Sequence, residues 1–91
     1  MTGYTKIHIP RNVLPLLLKE SYGVLVTVNG QQQLVQYGET VEFQVNDQAI
    51  ATIFMGKHVK KIQECVFPNK TYTIRLVEMI FDRAIVELVE I

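Results

Sequence analysis

The chain has 91 residues, enough for a single domain (1–91) with one core, because chains divide into domains at roughly 100–200 residues each. Nine Lys and Arg residues balance nine Asp and Glu residues, which excludes a histone-like coat of positive charge and an acidic tail. A single cysteine excludes an intramolecular disulfide framework, and 48% hydrophobic residues exclude a disordered chain.

Signals for secretion or for a membrane span are missing from the pattern. The longest apolar run near the N-terminus, residues 13–18, is broken by Pro15 and ends at a charged pair. A secretory segment needs about 7–15 apolar residues, and a membrane span needs about 20. We therefore expect a cytoplasmic protein that does not enter a membrane and keeps Cys65 reduced.

The first fifth of the chain predicts one strand and one short helix. Residues 4–9 alternate in polarity and end at Pro10, as a short strand does. Asn12 is a favourable helix N-cap, and Gly23 offers a left-handed stop. Between them, apolar side chains recur at helical spacing: Leu14, Leu17, Leu18 and Tyr22.

Four strands follow within about thirty residues. Residues 24–28 are β-branched and apolar, and Asn29-Gly30 comes directly after them. Asn-Gly is the strongest short signal for a type I′ hairpin turn, because both residues adopt positive φ readily. Residues 33–37, 41–45 and 49–55 continue the pattern, which predicts an antiparallel meander.

The remaining third is less regular. Val59, Ile62 and Val66 fit helical spacing, which predicts a second short helix within 56–70. Alternation returns at Tyr72, and the apolar phase slips by one near residue 77, as at a β-bulge. A turn at 82–83 leads into a last strand. The whole pattern predicts a mostly β fold, a small antiparallel barrel or rolled sheet of six to seven strands with one or two short helices.

The last strand is apolar on both faces. We predict that its apolar residues form a subunit interface: Ile85, Leu88, Val89 and Ile91. A strand that is apolar on both faces is usually covered on both, and a short chain has little material for that. A second copy of the chain would cover it. The alternative is that the barrel curls enough to cover the strand itself.

The chain offers no pattern typical of an active site, a metal site or a cofactor site. Cys65 and His58 are seven residues apart, about 10 Å along a helix, which is too far for a catalytic pair, so Cys65 is interpreted as a buried apolar residue. With His8 these residues lack the spacing of zinc ligands. The five glycines are scattered, so we expect no phosphate-binding loop and no cofactor.

One basic cluster supports an alternative function. It consists of Lys57, His58, Lys60 and Lys61, with Lys70 and Arg75 as possible extensions. Basic side chains near aromatic residues can follow a nucleic-acid backbone while the aromatic rings stack on bases. Two other interpretations remain open: a solvated loop that serves solubility, and a charged patch that steers one subunit against another.

Two segments resemble parts of the AbrB-type swapped-hairpin transcription factors. Residues 6–11 (Lys-Ile-His-Ile-Pro-Arg) resemble the opening strand of that family, and residues 38–47 resemble its following hairpin. The match covers under a quarter of the chain, and residues 24–37 form an extra hairpin between the two pieces. Only Lys6 and Arg11 are basic in the first piece, whereas the family binds DNA through a basic N-terminal surface. The resemblance favours the DNA-binding alternative.

The leading functional hypothesis is a non-catalytic interaction module that self-associates or docks on a protein partner. The alternative is a small nucleic-acid-binding protein that uses the basic segment 57–61. A third hypothesis is an enzyme whose site is assembled from loops, because residues that converge in space need no regular spacing.

Overall fold

A computed structural model describes residues 2–91 as two four-stranded sheets packed around one core. The strands are β1 (Gly3–His8), β2 (Val24–Val28), β3 (Gln31–Val35), β4 (Thr40–Val45), β5 (Ala49–Phe54), β6 (Ile62–Val66), β7 (Lys70–Ile80) and β8 (Arg83–Glu90). The mostly β prediction is confirmed. The strand count is corrected from six or seven to eight, and residues 2–91 form no closed barrel.

The predicted helix over 12–23 is reduced to one 3₁₀ turn, Leu16–Leu18. Pro15 precedes this turn in an extended conformation, and Lys19 is extended directly after it. Of the four residues at helical spacing, Leu14 is buried and Leu18 packs against the core, but Leu17 and Tyr22 are exposed, so the predicted helical face is not buried as a whole. A helix this short depends on packing of its apolar face, which explains why the pattern failed to predict the structure.

The second predicted helix is also wrong, because Ile62 and Val66 belong to strand β6 and both point into the core. Two residues that are four apart in sequence lie on the same face of a helix and also on the same face of a strand, so this spacing cannot distinguish a helix from a strand. Val59 lies before β6 and forms a parallel bridge with Ala84 of β8.

The meander is split between the two sheets. One sheet has the order β4-β1-β7-β8 and the other β3-β2-β5-β6. Strand β4 therefore leaves the hairpin β2–β3 and pairs with β1. Strands β1 and β7 run parallel, which corrects the expectation of purely antiparallel pairing.

Two local predictions are confirmed. Asn29 and Gly30 join β2 to β3 with φ values of 54° and 81°, as the Asn-Gly turn requires. The pairing of β7 with β8 shifts by one residue between Leu76 and Glu78, where the apolar phase slips. The bulge gives β7 one extra residue before the end of its hairpin.

The core lies between the inner faces of the two sheets. Alternate residues of each strand fill it, and Phe43 is its largest fully buried side chain. The loop after β1 contributes Val13 and Leu14, and the segment before β6 contributes Val59.

Side-chain hydrogen bonds secure β7 beside β1. The Thr5 hydroxyl donates to the Phe67 carbonyl oxygen at 2.6 Å, and the Phe67 N–H donates to the Tyr72 hydroxyl at 3.0 Å. The Thr73 hydroxyl donates to the His8 carbonyl oxygen at 3.3 Å. His8 lies opposite Thr73 at the last pair of the β1–β7 register, so β7 continues beyond β1 from this point.

Candidate interaction surface

The loops at one end of the sandwich collect most of the exposed apolar side chains. We call this the apical end: residues 9–23, 36–39, 55–61 and 76–84, which follow or precede the strand ends around His8, Thr40 and Phe54. Seven of the twelve large hydrophobic side chains exposed within residues 2–91 belong to it. They are Leu16, Leu17, Tyr22, Val77, Met79, Ile80 and Phe81.

The most exposed part of this end is the tip of the β7–β8 hairpin, residues 77–83, which we call the hairpin tip. Strand β7 has 11 residues and only its first four pair with β1, so the rest is held by β8 alone. At about 3.3 Å per residue, the seven residues after Thr73 extend roughly 23 Å. The long dimension of the molecule, 42 Å against 22 and 21 Å, reflects this elongated form.

Phe81 is the first residue of the two-residue loop that closes the hairpin, and its side chain is 98% exposed. Its φ is 57°, a left-handed conformation that costs a non-glycine residue roughly 1–2 kcal/mol. Asn29 and Asn69 also have positive φ, but asparagine tolerates that region far better than phenylalanine does. The hairpin thus combines a bulky apolar residue, full exposure and an unfavourable backbone conformation at one position.

An open groove lies beside the hairpin tip, where β1 ends and β7 continues. It has a volume of about 650 Å³, within the range of roughly 300–1,000 Å³ that ligand pockets occupy. One wall is the loop 10–13, and the other is residues 73–76 of β7. His8 and Val89 complete the lining. We call this the β7 groove.

The basic segment predicted from the sequence runs along the base of the hairpin tip. The Lys60 N–H donates to the Ala84 carbonyl oxygen at 3.0 Å, and the Ala84 N–H donates to the His58 carbonyl oxygen at 2.8 Å. His58 Nδ1 lies 3.9 Å from a carboxylate oxygen of Asp82 in the hairpin loop. The segment therefore supports the hairpin through its backbone.

The six residues of the predicted basic surface do not form one patch. The side chains of Lys57, Lys60 and Lys61 are exposed, and no carboxylate within residues 2–91 lies within 4.0 Å of them. Lys70 and Arg75 lie on β7 and form ion pairs with Glu90 and Glu87 of β8.

The four residues nominated as an interface lie in different environments. Leu88 packs against the core, and Ile85 and Val89 are half-buried on the outer side of β8. Ile85 lines a cleft of about 320 Å³ between β6 and β8, whereas Val89 lines the β7 groove. Ile91 follows the strand and is 73% exposed. The two sheets thus cover part of this strand themselves.

The interpretation of Cys65 as a buried residue is wrong, because its side chain is exposed on β6. Within the described residues, no three His, Cys, Asp or Glu side chains are grouped so that they could hold a metal ion. No helix of residues 2–91 has the length and apolar character needed to cross a bilayer.

Tyr37 is the titratable group with the clearest perturbation at the apical end. Burial, the nearby Tyr22 and the Glu20 carboxylate together raise the pKa of Tyr37 above its usual value of 10.0. Its hydroxyl is buried and has no hydrogen-bond partner within residues 2–91. The Lys19 ammonium lies 5.0 Å from the centre of the Tyr37 ring, so the ring supports the loop that carries Leu16 and Leu17.

Charge is distributed unevenly between the apical end and the rest of the chain. The apical end carries six Lys and Arg against four Asp and Glu, whereas the remainder carries three against five. The apical end therefore has a net charge of +2, although the hairpin tip within it carries two acidic residues, Glu78 and Asp82, against Arg83.

The sequence pattern missed the hairpin tip. The run 76–81 is apolar except for Glu78, and it continues a strand that is already as long as its neighbours. The length of this strand was the signal in the sequence that could have predicted the hairpin tip, because a strand that is longer than its neighbours projects beyond them. Comparison of the chain with protein families, with curated proteins and with solved structures gives no match.

Proposed function

We propose that the protein is a non-catalytic interaction module that docks on a protein partner through the hairpin tip. The observation that carries this proposal is the exposure of Phe81 and its neighbours on a projecting hairpin. Removing a phenylalanine side chain from water contributes roughly 1.5–3 kcal/mol of stabilisation, which the isolated protein does not gain at Phe81. Association would recover it.

The backbone conformation of Phe81 supports the same proposal. Left-handed backbone at a bulky residue is a strained feature of the kind that persists at functional sites. A glycine at this position would relieve the backbone strain, and a polar residue would avoid exposing an apolar side chain to water. Aromatic residues contribute strongly at the centres of interfaces, which gives this side chain a physical role in docking.

Among residues 2–91 we find no complete catalytic arrangement, which is compatible with an interaction module. Cys65 lies on β6, whereas His58 lies in the loop before that strand with its ring directed to Asp82. Within residues 2–91 the Thr40 hydroxyl lies 3.0 Å from Nδ1 of His8, but no carboxylate lies within 4.0 Å of the His8 ring to orient it as the base of a catalytic triad. The cytoplasmic location remains a prediction from the sequence.

The test is photo-crosslinking in cells that express the protein. A photoreactive phenylalanine analogue replaces Phe81 in one variant and Leu34 in a matched control, because Leu34 is also exposed but lies on β3, away from the tip. We expect a covalent protein adduct from position 81 and none above background from position 34. No adduct at position 81 would contradict the proposal.

Nucleic-acid binding is the second candidate, carried by Lys57, Lys60 and Lys61, which are exposed and form no ion pair with any carboxylate of residues 2–91. Single-stranded and duplex DNA and RNA are titrated at two salt concentrations. Replacing Lys60 and Lys61 by Ala is expected to lower the salt slope by about two, one per phosphate contact. Lys6→Ala is the matched control, because Lys6 pairs with Glu42 on another surface. Lack of binding at low salt would refute this candidate.

A further inference from the structure

The free edge of β7 offers backbone hydrogen-bonding groups beside the hairpin tip. Beyond Thr73, no strand within residues 2–91 pairs with the edge of β7 that faces away from β8. No backbone hydrogen bond from a loop of the described chain reaches residues 75–80 on that edge either. A long, apolar strand edge without a partner is a site where another strand can add.

The hairpin tip and the β7 groove are neighbours on the same strand. The groove is lined by residues 73–76, and the exposed tip begins at Val77. When two identical strands pair antiparallel about a two-fold axis, residues at equal distances on opposite sides of the axis face each other. An axis near Val77 pairs residues 74–80 of the two copies and leaves Phe81 of one copy at the end of the other copy's β1, next to His8.

From these observations we infer that the partner of the hairpin tip is a second copy of this chain, and that the two copies pair along the free edges of β7. Each Phe81 then lies at the His8 end of the other copy's β7 groove, about 13 Å from the axis at 3.3 Å per residue. This inference rests on the proposed function and specifies its partner. Both halves of the contact are present on one chain, which is the requirement for a closed two-fold interface.

Charge complementarity supports this arrangement. Glu78 is exposed at the tip, and Arg11 lines the groove. Neither has an oppositely charged partner within 4.0 Å among residues 2–91. The antiparallel pairing places Glu78 of one copy opposite Leu76 of the other, across the groove from Arg11. The same Glu78, together with Asp82, disfavours an anionic lipid surface as the partner of the tip.

The first experiment is disulfide crosslinking. Cys65 is exposed and is replaced by Ser, and a single new cysteine is introduced as Val77→Cys or, for the control, Leu34→Cys. Residues facing each other across an antiparallel pair have Cα atoms about 4.5–5.5 Å apart, within reach of a disulfide. We expect Val77→Cys to give a covalent dimer of twice 10.5 kDa and Leu34→Cys to remain uncrosslinked. A dimer that crosslinks through position 34 and not through position 77 would overturn the inference.

The second experiment reverses charges. Molar mass is measured by light scattering over a range of concentrations, with thermal melts as the control for folding. We expect the wild type to form dimers, and Glu78→Arg or Arg11→Glu to raise the dissociation constant about three- to tenfold. The double reversal is expected to restore the wild-type value, which a variant that merely misfolds would not do. Failure of the double reversal to restore association would overturn the Glu78–Arg11 contact.

The two proposals fail in different ways. A wild type that is monomeric at all concentrations overturns the second copy as partner. A heavier adduct at position 81 in the photo-crosslinking experiment would then leave the docking function intact with another protein. Absence of both the dimer and any adduct would overturn both proposals.

Discussion

The substitution Phe81→Gly separates the effect of backbone strain at position 81 on folding from the effect of the Phe81 side chain on association. The substitution removes a side chain that is 98% exposed, so it removes almost no packing from the folded state. It also places glycine at a φ of 57°, a conformation that glycine adopts readily and that residues with a Cβ atom disfavour. Folding and docking should therefore respond in opposite directions.

The magnitude follows from two opposing effects. Relief of the left-handed conformation is worth roughly 1–2 kcal/mol, whereas the extra freedom of glycine in the unfolded chain costs about 0.5–1 kcal/mol. We expect Phe81→Gly to be about 1 kcal/mol more stable than the wild type. For a domain of this size, that raises Tm by about 4–8 °C.

Phe81→Ala is the matched variant, because it removes the ring but keeps the strained backbone. Thermal melts and denaturant titrations should place Phe81→Ala near the wild type and below Phe81→Gly. Light scattering should show that both variants associate more weakly than the wild type, and equally so, since both lack the ring. If Phe81→Gly lowered the free energy of unfolding by more than about 1 kcal/mol, the argument from exposure and strain would be refuted.

Three further outcomes are expected within the body of the fold. Phe43→Ala should cost about 3–5 kcal/mol in a denaturant titration because Phe43 is 1% exposed, and a cost below about 1 kcal/mol would contradict its place in the core. Gly23→Ala should be more destabilising than Gly30→Ala in the same assay. Both glycines have positive φ, but only the Cβ added at position 23 would lie 2.7 Å from a backbone atom, the Val35 carbonyl oxygen. Equal losses of stability would refute this contact. Tyr37→Phe should leave the protein as stable or up to about 1 kcal/mol more stable at neutral pH, since the buried hydroxyl has no partner within residues 2–91. Because burial raises the pKa of Tyr37, the unfolded chain ionises this group at a lower pH than the folded protein does. The wild type should therefore lose stability relative to Tyr37→Phe as the pH rises through 10.0 towards the raised pKa, and parallel losses would contradict the raised pKa.

Local signals predicted the strands well where the chemistry of a turn or the alternation of a face decides the conformation. The Asn29-Gly30 turn and the alternation over β4 needed no information from distant residues. The bulge near Val77 was visible as a slip in the apolar phase. The candidate site was visible only in part: the basic segment was noticed, but the exposed tip beside it was not.

The sequence by itself determined a mostly β fold, since alternation and turn residues act locally along the chain. Only the tertiary structure decided that β4 leaves its hairpin for β1 and that β7 lies parallel to β1, because these pairings join residues far apart in sequence. It also decided that Ile62 and Val66 share a face of a strand and that the residues after Thr73 project beyond β1. Exposure of the hairpin tip depends on where the neighbouring strand ends, and no pattern within β7 contains that information.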